Sequence, residues 1–440
     1  MSYLTKIVHM FWGEMNAEEA KKFALLSGVF FFIIGAYWML RELKDAIFMQ
    51  LVGKASLGNA KILSVLILVM LVLFYNKLVD LFEKTKLIYI IAGFYGVLYL
   101  GIAYFLTHPT IGLANQVQGT HRFLGWFIYV AIESFGSMVP PLFWAYVASV
   151  MDTSSAKKGY PLIVAGAQMG SILGSIINIS LVTILGIPVM FASAAFGVLI
   201  VPFMIKLFST KYAENSTPAI EKKEERKKPT GVIEGLKLIF SRNYLLGILV
   251  VSTVYEVVGT ILDLQFKVAA QDALGGGEKV AQFMAVFGLC ANGLSFLFAL
   301  LGTSFLIRKL GLRIGLIIYP SVLAILVLAT WSMAGSLMAF FTAMVVIKGL
   351  SYALNNPCKE IMYIPTSKDI KFKAKSWIDV QGGRSAKAIG GAFYNLAQKL
   401  GSISTYGAIV SLGIIAAWIP VAWYVGTTNS KLVQENKIVE

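Results

Sequence analysis

The sequence contains few charged residues and few cysteines. Charged side chains make up 14% of its 440 residues, whereas about a quarter is usual for a soluble chain. Only two cysteines are present, which excludes a disulfide-stapled secreted domain. Hydrophobic residues make up 57%, which is too many for a chain of this length with a water-soluble surface. These proportions indicate a membrane protein.

The usual signatures of catalysis are also missing. The sequence has no Gly-rich GK[ST] phosphate loop, no HExxH zinc motif and no GxSxG nucleophile motif. We therefore expect neither an enzyme nor an ATP-hydrolysing pump, and we expect no bound cofactor. A carrier driven by substrate or ion gradients remains compatible with the sequence.

Apolar stretches of roughly 20 residues, the length that crosses a bilayer as a helix, recur about twelve times. They lie at 23–52, 60–76, 87–107, 123–150, 161–185, 187–208, 244–271, 280–307, 312–333, 335–364, 384–403 and 405–427. A polar segment from Lys211 to Gly231 separates the halves and has no hydrophobic period, so it predicts a solvated linker. The predicted division is an interfacial helix at 1–20, a six-helix bundle at 21–208, a cytoplasmic linker at 209–243, a second six-helix bundle at 244–427 and a cytoplasmic tail at 428–440.

Lysine and arginine are concentrated at alternate connections between these stretches. Examples are Lys84 and Lys86, the central linker, and Lys368, Lys371, Lys373 and Lys375. Because such residues mark cytoplasmic loops, both termini are predicted to be cytoplasmic. Much of the net charge of +15 is then an orientation signal, and no nucleic-acid partner is expected. No Ser/Arg-rich leader precedes the capping box of Asn16 and Glu19, which favours the bacterial inner membrane over a plastid envelope.

The second half of the chain repeats residues of the first half. An offset of about 217 aligns Pro140 with Pro357, Tyr146 with Tyr363, Gly166 with Gly383, and Gly174 with Gly391. Two six-helix halves in the same orientation describe the major-facilitator architecture, with a substrate site between the repeats near the midplane. The predicted fold is an all-α polytopic membrane protein of 12 transmembrane helices in two pseudo-symmetric bundles. Twelve helices without functional symmetry remain the alternative.

Ionisable residues interrupt several of the apolar stretches. The cations are Arg41, Lys44, Lys348, Lys359, Arg384 and Lys387, and the acids are Glu42, Asp45, Glu133, Glu256, Asp263 and Glu360. Six lipid-exposed cations would cost on the order of 15–20 kcal/mol, so they are predicted to face a wet cavity or partners. Cations from both halves around one cavity predict an anionic, polyvalent solute. The alternative is that the equally numerous acids neutralise the cations and that these pairs are purely structural.

Two further patterns are assigned different roles. Aromatic residues beside the charges offer a stacking surface for a flat ring, and they are Tyr37, Trp38, Phe135, Phe143, Trp144 and Tyr146. The spacing of Gly166, Gly170 and Gly174 predicts close packing of the fifth predicted span against another helix rather than ligand binding.

Several segments together resemble the ATP/ADP translocase family of intracellular bacteria and plastids. These segments are LRELKDAI, IESFGSMVPPLFW, AKKGYP, KEIMYIP and KAKSWIDVQGGRSAKAIGGA. The resemblance implies a twelve-helix carrier that exchanges nucleotides, in many members ATP for ADP with phosphate. It places the family's functional lysines and glutamates on Lys44, Glu133, Lys387 and, by position alone, Glu256. The chain departs from the family in the AYVASVMD segment and at Ala386, which bears on the choice of nucleotide.

The resulting hypothesis is an alternating-access carrier that exchanges ATP for ADP in the lipid bilayer as a monomer. Lys44 and Lys387 hold the phosphates, and Glu133 and Glu256 orient these lysines. The remaining candidate substrate-binding residues are Arg41, Lys348, Arg384 and Tyr146. Alternatives left open are an importer of NAD or another nucleotide, either proton-coupled or antiporting, and a nontransporting membrane receptor.

Overall fold

The helices predicted from hydrophobic runs are present in the computed structural model, which describes residues 17–150, 153–212, 232–301, 303–367, 370 and 374–439. Within these ranges the regular structure is helical, apart from an isolated bridge between Thr366 and Val439. Ten of the described helices are long and apolar enough to cross a membrane. The prediction of an all-α polytopic membrane protein is therefore confirmed.

Six long helices form the first half. They are α1 (Ala17–Leu51), α2 (Leu57–Leu81), α3 (Lys84–Thr107), α4 (Phe123–Val150), α5 (Thr153–Leu185) and α6 (Ile187–Tyr212). Each contains one of the predicted apolar stretches, apart from a residue at the end of the first. Residues 1–16 of the predicted interfacial helix, and residues 213–231 of the predicted linker, lie outside the described residues.

The second half begins with a short helix inside the segment predicted as linker. Its helices are α7 (Val232–Ser241), α8 (Asn243–Leu274), α9 (Gly277–Leu301), α10 (Thr303–Ser332), α11 (Leu337–Leu350), α12 (Asn356–Met362), α13 (Gly383–Lys399) and α14 (Ile403–Gln434). The apolar residues of α7 recur at helical spacing, with Ile239 buried and Phe240 exposed, which explains a helix there. Lys368, Lys371 and Lys373 lie outside the described residues.

One predicted span, 335–364, does not form a single uninterrupted helix, and another, 280–307, extends past the end of α9 at Leu301. A π-helical turn, Ser351–Asn355, separates α11 from α12, and a second, Ile378–Gly382, precedes α13. Pro357 in the first turn of α12 has no N–H to donate, so the regular hydrogen-bond ladder cannot continue through it. Wide turns of this kind are frequent at functional sites. Both lie next to predicted site residues.

Gly311 marks the start of the apolar part of α10. Its backbone has φ 73° and ψ 163°, a non-helical conformation inside the helix. Glycine adopts positive φ without the steric penalty that a Cβ would bring. The membrane-compatible part, Gly311–Ser332, therefore begins within one residue of the predicted span at 312–333.

The chain divides into two compact units, each with its own core. Unit 1 comprises the described residues of Met1–Lys54, Leu66–Glu224 and Gly275–Leu289. Unit 2 comprises those of Ala55–Val65, Glu225–Leu274 and Cys290–Glu440. The division follows the two predicted halves except at the first turns of α2 and α9, each of which groups with the other half.

In unit 1, glycines of α5 lie directly against the backbone of α1. A Cβ at Gly174 would lie 2.7 Å from the Gly35 carbonyl oxygen, and a Cβ at Gly170 would overlap the Phe31 carbonyl. Small residues allow membrane helices to approach this closely. The predicted packing role of the glycine pattern is therefore confirmed for these positions.

We predict that Gly170→Leu destabilises the protein by about 1–3 kcal/mol, because its side chain would force α1 away from α5. The matched control is Gly93→Leu on α3, since a Cβ at Gly93 meets no atom within 4 Å. Thermal unfolding of the detergent-purified variants measures the difference. Equal melting temperatures for the two leucine variants would contradict the close-packing interpretation.

Candidate functional site

The predicted lysine of the first helix forms a buried ion pair. Lys44 on α1 donates from its Nζ to Glu133 Oε1 on α4. The side chains of Lys44 and Glu133 are 4% and 20% exposed. The ammonium group also lies 4.3 Å from the centre of the Tyr129 ring, so an aromatic face adds to its stabilisation. This pair joins two helices within unit 1.

Arg41 adds a second cation one helical turn before Lys44. Its guanidinium carbon lies 4.6 Å from the centre of the Trp38 ring, and its side chain is partly exposed. The neighbouring Tyr37 packs over Gly136, where a Cβ would overlap its ring. We call Arg41, Lys44 and Glu133 the N-terminal cluster. Tyr37 and Trp38 lie beside it, and their use as a stacking surface stays a prediction.

Tyr146 does not join this cluster. It is 1% exposed, and its ring packs edge-on against Phe208, with 6.1 Å between the ring centres. Along α4 it lies about 20 Å from Glu133, given a rise of 1.5 Å per residue. In this structure it packs α4 against α6, and its role in substrate binding stays a prediction. Phe143 is also a packing residue, since it stacks on Phe30 at 4.6 Å.

A second group of charges surrounds Glu256 on α8. The Tyr255 hydroxyl donates to Glu256 Oε1 at 2.8 Å, and Lys387 Nζ lies 3.5 Å from the same oxygen. Lys348 and Lys359 also interact electrostatically with this carboxylate. Lys359 lies 4.1 Å from the centre of the Tyr255 ring. We call Tyr255, Glu256, Lys348, Lys359 and Lys387 the C-terminal cluster, and all its members belong to unit 2.

The π-helical turns position the cations of this cluster. Lys348 precedes the turn at Ser351–Asn355, and Lys359 follows it. Arg384 lies just after the second turn, in the first turn of α13 and one turn before Lys387. Arg384 and Lys387 therefore share a helix face, and both are partly exposed. The π-helical backbone therefore lies directly beside the cationic residues of this cluster, and helical structure continues on the far side of each turn.

Other predicted acids have partners outside the two clusters. Asp263 Oδ2 accepts from Lys267 Nζ at 2.6 Å on the same helix, and Glu360 pairs with Lys375 at 2.5 Å. The structural-pairing alternative therefore applies to these two acids. Lys267 was missed by the sequence reasoning, although its spacing of four residues from Asp263 is a recognisable signal. Tyr255 was also missed as a site residue, although an offset of 218 in the internal repeat aligns it with Tyr37 of the predicted stacking surface.

The two clusters differ in how tightly their lysines are held. Lys44 is buried in direct contact with Glu133, whereas Lys387 is 40% exposed and 3.5 Å from Glu256. In the C-terminal cluster three lysines act on one carboxylate, Glu256. An excess of positive charge in an apolar surrounding attracts anions, and phosphate oxygens are strong acceptors for ammonium groups. The arrangement is therefore suited to binding a polyanion.

We predict that the Lys44–Glu133 pair is strongly coupled in a double-mutant cycle. Lys44→Met alone is expected to cost about 3–5 kcal/mol, because it leaves the Glu133 carboxylate buried without its cation. In a Glu133→Gln background the same change is expected to cost roughly 1 kcal/mol. Denaturant titration of the purified variants measures both values.

The matched comparison is the cycle of Lys387→Met with Glu256→Gln. Its coupling is expected to stay below about 1 kcal/mol, because Lys387 is more exposed and farther from its partner. Equal coupling in the two pairs would contradict the difference in burial described above.

Comparison with known proteins identifies a family. The sequence model described as TLC ATP/ADP transporter matches residues 1–428. The chain is 25% identical over 497 residues to ADP,ATP carrier protein 2, chloroplastic, of Arabidopsis thaliana, covering 96% of this chain and 77% of that protein. It is 25% identical over 476 residues to ADP,ATP carrier protein 1 of Rickettsia prowazekii (strain Madrid E), covering 95% of each chain.

Solved transporter structures share the fold. A POT family transporter in complex with 5-aminolevulinic acid matches with a TM-score of 0.65 and 14% identity, covering 96% of this chain and 98% of that chain. The nucleoside transporter NupG matches with a TM-score of 0.58 and 14% identity, covering 95% of this chain and 100% of that chain. At this identity the likeness concerns the fold alone, which this chain shares with these solved transporters.

Proposed function

The chain belongs to the TLC ATP/ADP transporter family, and from that premise we propose that it is a membrane carrier that exchanges ATP for ADP by alternating access. The observation that carries the proposal is the family match, which extends over nearly the whole chain. The two cation clusters supply the chemistry that such substrates need. The role is transport, and no enzymatic step is involved.

We place the phosphate groups of the nucleotide against Lys44 and Lys387. Each lysine lies against a carboxylate, Glu133 or Glu256. A polyphosphate competes for these ammonium groups, and a ligand that binds one conformation better shifts the equilibrium toward it. Arg41, Lys348 and Arg384 add positive charge, which matches a substrate of several negative charges.

The same charges favour exchange over net transport. When the nucleotide leaves, the C-terminal cluster keeps three lysines around Glu256, and this excess charge is costly in a low-dielectric site. Rebinding of a second nucleotide restores neutrality before the carrier reorients. We assign the stacking surface for the base to Tyr37 and Trp38, which lie beside the N-terminal cluster.

The proposed topology has twelve spans in two six-helix halves, with both termini in the cytoplasm. Ten spans are single apolar helices. The other two are α11 with α12, and the segment from Lys375–Trp377 through α13. We propose a monomer in the bacterial inner membrane. Phosphate as a co-substrate of ADP belongs to the same proposal.

We predict that Lys44→Ala and Lys387→Ala each reduce exchange by about 10- to 100-fold, because a hydrogen bond to a charged group contributes about 1.5–3 kcal/mol. Uptake of labelled ATP into proteoliposomes preloaded with ADP measures the effect. Matched controls are Lys21→Ala on α1 and Lys399→Ala on α13, two exposed lysines of the same helices. Both controls are expected to transport like the parent.

Wild-type rates for the Lys44 and Lys387 variants, with normal insertion, would overturn the phosphate assignment. The choice of nucleotide is tested by competition of unlabelled ATP, ADP and NAD against labelled ATP. Stronger competition by NAD than by ADP would replace the ATP/ADP proposal with an NAD importer. Binding without any uptake would favour a receptor.

A further inference from the structure

Glu42 is a buried carboxyl group that neither cation cluster uses. It is 4% exposed and lies on α1 between the positions of Arg41 and Lys44. Its carboxylate contacts α5, where Ser175 Oγ lies 2.5 Å from Oε1 and Asn178 Nδ2 donates to Oε2 at 2.8 Å. Ser175 and Asn178 are themselves 0% exposed. The site is therefore closed and made of neutral hydrogen-bonding groups.

Charged groups on the surrounding helices are engaged elsewhere or distant. On α1, the Arg41 guanidinium acts on Glu42 through space but lies over the Trp38 ring, and Lys44 is bound to Glu133 of α4. Asp45, the other charged neighbour on α1, is an acid.

The other helices packed around Glu42 bring no nearby cation. The sequences of α5 from 161 to 185 and of α6 from 187 to 205 contain no acidic or basic residue. On α9, Glu278 and Lys279 lie in the first turn, roughly 15 Å along the helix from Gly288, the residue that touches Glu42. An ionised carboxylate without a directly bound cation is costly when buried, so this environment favours the protonated form.

The hydrogen-bond geometry accommodates both protonation states without moving any heavy atom. Ser175 Oγ carries one proton and lies within reach of two oxygens, Glu42 Oε1 at 2.5 Å and the Ser171 carbonyl at 3.0 Å. With Glu42 ionised, the serine hydroxyl donates to the carboxylate. With Glu42 protonated, the acid donates to Ser175, which rotates its hydrogen toward Ser171. A single hydroxyl rotation thus separates the two states.

The Glu42 carboxyl group also contacts α9. A Cβ at Gly288 would overlap Glu42 Oε1, so this helix lies directly on the carboxyl oxygen. Near the same place Gln282 Nε2 donates to the Ile179 carbonyl of α5 at 2.6 Å. Residues of α9 up to Leu289 belong to unit 1, and the helix continues from Cys290 in unit 2. A change of charge at Glu42 therefore acts on a helix that runs through both units.

We propose that Glu42 is a proton-binding site whose occupancy is coupled to nucleotide exchange; this inference rests on the proposed function. A proton from water on one side of the membrane forms the O–H bond at Oε1 when the α5–α9 contact opens to that side. The same bond breaks, and the proton returns to water, when the contact opens to the other side. In this proposal the proton moves in the same direction as ATP.

The test uses purified full-length protein in proteoliposomes with ADP and a pH-sensitive dye inside. Uptake of labelled ATP by the wild type is expected to acidify the interior and to rise severalfold when the outside is made more acidic. Glu42→Gln, which copies the protonated acid, is expected to exchange nucleotide in the absence of a gradient. Its proton signal and its response to the gradient should both be lost. Glu278→Gln, an exposed carboxyl of α9, is the matched control and should keep both.

Ser175→Ala provides a second measurement if Glu42→Gln does not insert. Loss of the hydroxyl removes a donor to the ionised carboxylate, so the half-maximal pH of the proton signal should move upward. An unchanged pH profile in Ser175→Ala, or a proton signal retained in Glu42→Gln, would overturn the assignment. Exchange that requires sodium instead of protons would also overturn the assignment. Wild-type exchange without proton movement defeats the Glu42 inference alone, whereas absence of any exchange defeats the proposed function.

Discussion

An ionised side chain inside a bilayer is stable only beside water or a group that compensates its charge, and this requirement organises both units. In unit 1 the buried Lys44 reaches across to Glu133 and lies on the Tyr129 ring. In unit 2, Glu256 draws together lysines from three different stretches of the chain. Within each unit, these contacts fix the positions of the helices that carry the charged groups. In the transport mechanism that we propose, a polyanionic substrate has to open the same pairs, so stability and transport depend on the same contacts.

The buried acids divide into three kinds by their partners. Glu133 and Glu256 hold lysines that we assign to the nucleotide. Asp263 is bound by Lys267 of its own helix, which is a local structural pair. Glu42 has only neutral side-chain donors on α5. Residues of one chemical type thus have different roles, because the protonation and availability of a carboxyl group depend on what lies beside it.

Backbone features place these groups as much as side-chain chemistry does. The glycines of α5 let α1 come close enough for Glu42 to reach Ser175 and Asn178. One π-helical turn follows Lys348 and another precedes Arg384, so the regular helix geometry is interrupted next to both cations. Close helix packing thus brings Glu42 to its partners, and the π-helical turns lie beside the cations. Turns of this kind occur frequently at functional sites.

Much of the architecture was predictable from the sequence. A long apolar run has few alternatives to a membrane helix, because backbone groups in lipid must be hydrogen-bonded within the segment. The extents of α3, α4 and α6 and the packing role of Gly170 followed from periodicity and spacing. The need for Lys44 and Glu133 to be compensated followed from the cost of intramembrane charge. The π-helical turns near Lys348 and Lys387 could not be predicted from the sequence, since hydropathy does not register a change from regular to π-helical hydrogen bonding.

Sequence alone thus determined which residues cross the membrane and which charges must be compensated there. Only the tertiary structure decided which charge meets which, that Tyr146 packs against Phe208, and that Glu42 faces serine and asparagine instead of lysine. The reason is physical: hydrophobicity and helical period are local properties of the chain. A partner for a buried charge comes from another helix, distant in sequence, and its identity depends on how the two helices are rotated and packed.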